Sequence, residues 1–339
     1  MDIEGDAVHT ASNPRGSRLG GRIFAAVRIA VTAAVLAGLV VKLSPGSIRD
    51  TAGDADPWLL MAALALMLVV QALVVGKWLV LLDARSVRAP LAEVARAYCA
   101  GNLLSNVLPT AVGGDVYRVY RIQRSADARA ADVTMTVLYE RATGYGAMTC
   151  LGALGGAFYY GSAAIGVLAL GIGGLAGVLL AVVLPRAPFP AVRHDHPVRY
   201  LLAHRRELVA VYRMLLFSLA IQALYISTIA LAGRALGAHI SWWYWAFATW
   251  VVAVAVLLPV TLGGLGVRES SFSALLKHAG GTAAQGASTG LALALLLTVA
   301  NGLGILAVEV AERAGWLRRP PPAVVPARAA SAPGLERSP

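Results

Sequence analysis

One eleven-residue pattern occurs twice in this chain, and each copy interrupts an apolar stretch. The first runs from Leu108 and Pro109 through Gly113 and Gly114 to Arg118, the second from Leu258 and Pro259 through Gly263 and Gly264 to Arg268. Both read LP-x-x-x-GG-x-x-x-R, at an offset of 150 residues. Proline removes a backbone donor and glycine loosens the helix, so each copy predicts a break in a helix. Paired broken helices in the two halves of a membrane protein mark the site of a transporter.

The rest of the chain fits that setting. Apolar residues make up 58% of the 339, charged ones 14%, and the mean hydropathy is +0.68. Soluble domains carry roughly 25% charged residues. Apolar runs of bilayer length recur, without the alternation of a membrane β-barrel. The chain therefore reads as an all-α polytopic membrane protein. Its net charge of +11 comes from arginines in short connections. That is the positive-inside pattern, which also draws anionic headgroups; it is not a nucleic-acid signature. Cys99 and Cys150 sit in apolar segments without metal or disulfide spacing, and His194 and His196 lie in a basic loop. No metal or cofactor is expected.

Spans are expected at 23–43, 58–82, 91–112, 133–160, 163–184, 211–234, 242–262 and 285–310. The polar N-terminus 1–21 precedes the first, which is long enough to act as a signal anchor rather than a cleaved peptide. A single membrane domain covers 22–312, and the Pro-rich basic tail 313–339 is expected to be disordered. Arginines place the N-terminus, 83–96, 185–209 and the C-terminus in the cytoplasm, and the acidic connection 44–57 outside. Trp58 and the cluster Trp242, Trp243, Tyr244 and Trp245 then fall at outer edges as interfacial anchors, and Arg28 and Lys77 snorkel near inner ends.

One segment breaks this alternation. Residues 118–129 carry Arg118, Arg121, Arg124 and Arg129 and belong inside, yet only 91–112 separates them from the inside segment 83–96. The stretch must enter and turn back at its Pro and Gly-Gly, with 113–124 as the returning arm. By the same logic 242–262 enters and returns outside, with 264–279 as its second arm. The fold expected is about six full transmembrane helices and two re-entrant broken-helix hairpins in an inverted repeat; the alternative is eight plain spans.

Breaking a helix frees N–H donors at the start of the next half-helix, where the dipole favours an anion. Glycines there admit a ligand close to the backbone, and Arg118 and Arg268, about a turn beyond, offer the paired donors that suit phosphate. Intramembrane charges are costly, so Asp115, Glu140, Arg141, Glu269 and Glu309 join the candidates. Asp115 would balance Arg118, and Glu269 would balance Arg141 or Arg268. A packing kink is the plainer account of one copy alone; two copies in register favour function. Other membrane glycines, such as Gly38, Gly171, Gly173, Gly174 and Gly177, read as helix packing.

The motif segments 106–118 and 256–269 carry Asn106, Pro109, Gly113, Gly114, Asp115 and Arg118, then Pro259, Gly263, Gly264, Gly266, Arg268 and Glu269, with Glu140 and Arg141 between. In this order they resemble the lysylphosphatidylglycerol synthase transmembrane-region family, over about residues 20–312. The resemblance implies a flippase-like role on a lipid, with these residues at the headgroup. It also implies no lysyl transfer, since the family's synthase activity belongs to a separate soluble domain expected to be absent here.

The leading function is thus transport or binding of a phosphate-bearing lipid (a phospholipid, glycolipid or polyprenyl-phosphate lipid) across the cell membrane, with both termini cytoplasmic and no catalytic residues. The bilayer and an anionic lipid are the expected partners, with a second copy or a lipid-synthesis enzyme as further ones. One alternative is a membrane glycosyltransferase using a polyprenyl-phosphate sugar, with Asp54 and Asp56 holding a metal; another is a non-catalytic partner subunit.

Overall fold

The computed structural model describes residues 50–107 (except Ala52), 113–183, 205–257 and 264–317. The span 23–43, the basic loop 184–204, the tail beyond Leu317 and the motif residues Pro109, Pro259 and Gly263 lie outside these, as does the side chain of Asn106. Among the described residues there are no strands and nine principal helices. They are α1 (Pro57–Ala84), α2 (Leu91–Val107), α3 (Gly113–Ser125), α4 (Ala130–Tyr160), α5 (Ala163–Val183), α6 (Arg205–Ala235), α7 (Trp242–Leu257), α8 (Val267–His278) and α9 (Ala283–Arg313).

Three of them, α1, the Arg213–Ala235 part of α6, and α9, are long and apolar enough to cross a membrane. At 28 to 31 residues, α1, α4, α6 and α9 reach roughly 42–46 Å. That exceeds the ~30 Å hydrocarbon core. The arms α2, α3, α7 and α8 have 12 to 17 residues, about 18–26 Å. The described helices on either side of each motif are therefore short, ending at Val107 and Leu257 and resuming at Gly113 and Val267.

Local chemistry sets the helix ends. Asp56 caps α1, its Oδ1 accepting from the Trp58 and Leu59 N–H groups at 2.8 and 3.2 Å, with Pro57 at the first helical position. That occupies one of the two aspartates on which the glycosyltransferase reading relied. Gly161, at φ 62°, closes α4 in the left-handed conformation. Thr282 and Gln285 form a reciprocal capping box on α9.

Each pair of short helices folds back on itself. In the first, Glu93 near the start of α2 meets Arg121 late in α3 at 2.7 Å, and the bare face of Gly114 lies on the Gly101 carbonyl. In the second, Tyr244 at the start of α7 donates to the Leu275 carbonyl late in α8 at 2.5 Å. The first hairpin opens at the end of the bundle where α1 stops and α4 begins, joined by Arg85 and Asp132 at 3.7 Å, and where α9 ends. The second opens at the opposite end, where the Asp56 N–H bonds the Ala235 carbonyl and Tyr159 stacks on Tyr244.

Two apolar clusters form the core. One, with Met67, Tyr244, Trp245, Phe272 and Leu293, surrounds the second hairpin; the other, with Trp78, Val94, Tyr98, Ile122 and Val137, surrounds the first. Tyr244 and Trp245 are buried core residues rather than interfacial anchors, because α8 returns across them; Trp58 and Trp243 are exposed. Close helix approach depends on glycines other than those expected. Gly152, Gly155 and Gly156 of α4 seat Trp250, Ala246 and Phe247 of α7, whereas Gly171 and Gly174 of α5 meet nothing within 4 Å.

Gly155→Leu puts a side chain into the Trp243 carbonyl and the Phe247 N–H, so it should cost about 1–3 kcal/mol. Gly171→Ala should leave stability unchanged or raise it slightly. Thermal melting of the purified variants in detergent checks the contrast.

Candidate functional site

Arg118 and Glu269 are among the largest fully buried side chains, one from each hairpin. The α3 break brings Asp115 and Arg118, three residues apart, onto the face of α3 that meets α4. There they pair crosswise with two adjacent residues of α4. Arg118 Nη1 donates to Glu140 at 3.1 Å and to Asp115 at 3.4 Å. Arg141 grips Asp115 with Nε at 2.5 Å and Nη2 at 2.9 Å, a bidentate pair.

The guanidinium of Arg118 also lies between two rings, 4.1 Å from Trp78 of α1 and 4.6 Å from Tyr98 of α2. Trp78 is held by its own donor, Nε1 to Thr136 at 3.0 Å. Gly101 leaves room for the arginine stem, since a Cβ there would stand 2.7 Å from Arg118 Cγ. Arg118 is 2% exposed, and its Nε and Nη2 have no hydrogen-bond partner among the described residues. The side chain of Arg141 is 33% exposed.

Sequence reasoning missed three members of this group. Lys77 was expected to snorkel; it is buried, and its Nζ donates to the Glu140 carbonyl at 2.9 Å. A lysine inside an apolar run was a usable signal, set aside because α1 ends only seven residues later. Trp78 and Tyr98 resembled ordinary membrane aromatics and gave no signal.

The second hairpin is built differently. Gly264 and Gly266 take φ of 72° and 83°, and α8 begins only at Val267, so Arg268 lies in its first turn. Arg268 Nε reaches Glu269 at 3.3 Å, and Glu269 Oε2 accepts from the Gly266 N–H at 2.6 Å. The chain's own carboxylate thus occupies a donor that the break frees. Glu269 pairs with Arg268, its sequence neighbour, among the described contacts. Gly290 of α9 packs on the Glu269 backbone. At the 150-residue offset it stands where Glu140 stands, and Leu291 where Arg141 stands, so this hairpin lacks the crosswise pair.

Two tyrosines stand near these charges. Tyr145 of α4 is within electrostatic reach of Arg141, Asp115 and Glu140, and Tyr225 of α6 is within reach of both Arg268 and Tyr145. Asp115, Arg118, Glu140 and Arg141 are brought together, whereas Arg268 and Glu269 of the other hairpin form a separate pair. Gly114 is taken up in hairpin packing against Gly101 and Ser105. Glu309 stands elsewhere, against Arg96 at 3.5 Å and Arg313 at 3.0 Å.

Asp115→Asn should leave two arginines short of charge and cost about 3–5 kcal/mol, as for breaking any buried pair. The double variant Asp115→Asn with Arg141→Gln should recover part of that loss. Unfolding in detergent, read as a double-mutant cycle, measures the coupling.

The family model for the lysylphosphatidylglycerol synthase TM region matches residues 25–304. No curated protein matches the sequence, and no solved structure does. The match spans most of the chain, which therefore belongs to this family of membrane domains.

Proposed function

We propose that this member of the lysylphosphatidylglycerol synthase TM-region family is a flippase-like transporter of a phosphate-bearing lipid in the cell membrane. The observation that carries the reading is the group Lys77, Asp115, Arg118, Glu140 and Arg141, gathered where α1, α3 and α4 meet. Gathering five ionisable groups in such a place, two of them buried, is expensive, and membrane proteins keep them where an ion or a polar headgroup passes.

In this reading the residues divide the work. Arg118, held by two carboxylates and two rings, is a fixed cation that organises the site. Arg141, one-third exposed, and Arg268, 12% exposed, present guanidinium donors to the lipid phosphate. The three cations and two carboxylates around the first hairpin leave one positive charge over for the headgroup. The acyl chains stay in the bilayer along exposed apolar faces such as that of Val167, Leu168 and Leu170 on α5.

In this reading transport proceeds by alternating access. Helices α1–α4 and α6–α9 are read as an inverted repeat, with α1 matching α6, α2 and α3 matching α7 and α8, and α4 matching α9. Its support is reciprocal packing: α2 lies against α9 as α7 lies against α4, and α1 lies against α6. The hairpins are then re-entrant from opposite faces, and Arg85, Arg88, Arg121, Arg124 and Arg313 set their end of the bundle, with both termini, in the cytoplasm. No aminoacyl transfer is assigned to these helices.

Purified protein in liposomes should accelerate leaflet exchange of at least one lipid in a panel of labelled phospholipids, glycolipids and polyprenyl phosphates. Arg141→Ala and Arg268→Ala should each abolish it. No acceleration across the panel, or both variants matching the parent, would refute the proposal.

A further inference from the structure

The open ends of the two hairpins are closed by different chemistry. At the first, Arg96 of α2 reaches Glu309 of α9 at 3.5 Å and also pairs with Glu312. Glu93 of α2 is shared between Arg96 at 3.3 Å and Arg121 of α3 at 2.7 Å. One connected set of ion pairs thus ties both arms of the hairpin to α9. Glu93 and Glu312 are buried, but Arg96 and Arg121 stay partly open, at 21% and 38%. Glu312 Oε1 is buried without a hydrogen-bond partner among the described residues, so its carboxylate is only half used.

At the second hairpin rings take the place of charges. Phe158 meets Trp243 at 4.6 Å, Tyr159 meets Tyr244 at 4.6 Å, and Tyr160 meets Phe247 at 5.6 Å. Below them Gly152, Gly155 and Gly156 bring α4 onto the backbone and rings of α7. Along the α9–α2 seam Gly304, facing Cys99, is the one comparable glycine contact among the described residues.

These closures differ in how they fail. Partly exposed ion pairs are individually weak and are screened by salt, so they release one at a time. Interlocked rings on a glycine face separate only together, and no exchange of partners eases the loss. We infer that the end of the first hairpin closed by Arg96, Glu93, Arg121, Glu309 and Glu312 is the movable gate, and that the aromatic end is the fixed one. Access to the buried charge group then runs past Arg96, between α2, α3 and α9.

A thiol placed behind the gate reads its opening without reference to lipid transport. The reporter is Ser105→Cys, whose position on α2 lies beside Gly101 and Gly114, in a chain carrying Cys99→Ala and Cys150→Ala. The protein is held in liposomes, and a membrane-impermeant maleimide is added on the Arg96 side. Arg96→Gln should raise the labelling rate several-fold, and Arg96→Lys, which keeps a positive charge beside Glu93, Glu309 and Glu312, should stay near the starting rate. High salt should raise it in the reporter chain without any gate substitution, which keeps the test valid if Arg96→Gln fails to fold. Labelling that responds to neither Arg96→Gln nor salt, or that Arg96→Lys raises as much as Arg96→Gln does, would overturn the gate.

Discussion

The interaction on which the rest depends is the burial of the Arg118 guanidinium. This group does not give up its charge inside a protein, so the fold must supply compensation wherever it is placed. Here four helices do so: Trp78 from α1, Tyr98 from α2, Asp115 from α3 and Glu140 from α4. The antiparallel packing of α3 on α2 carries Arg118 to that meeting point. Gly101 and Gly114, bare where α2 and α3 touch, set how closely the hairpin shuts around it.

The two hairpins share a motif but not a local structure. One residue, Gly266 in place of Val116, allows a left-handed turn that delays the second return helix until Val267. Arg268 therefore lies in the first turn, beside a buried carboxylate that back-bonds the turn, whereas Arg118 lies deeper in its helix. On the partner helices, Glu140 and Arg141 correspond to Gly290 and Leu291. The first hairpin is thus a charged hub, and the second an arginine and a cap closely packed against α9. A ligand between them would meet one strongly structured side and one simpler side.

Much of this was legible in the sequence. The limits of α1, α4 and α5 and the short helices that flank each motif follow from the apolar runs and the motif positions. The candidate residues Asp115, Arg118, Glu140 and Arg141 do meet. What could not be read is who pairs with whom, because that depends on helix rotation: Asp115 binds Arg141 more closely than its helix neighbour Arg118. Lys77 was misread for a related reason, since depth along a helix does not say which side faces the core. Tyr244 and Trp245 have the composition of an interfacial belt, and only the return of α8 buries them.

The central claim is that the two hairpins enter from opposite faces of one membrane. It is tested most directly by single cysteines at the exposed closing ends of the returning arms, Arg124→Cys on α3 and Lys277→Cys on α8, in a chain lacking Cys99 and Cys150. In intact cells an impermeant thiol reagent should label position 277 and not 124; in inverted membrane vesicles it should label 124 and not 277. Labelling of both positions from the same side would contradict the account.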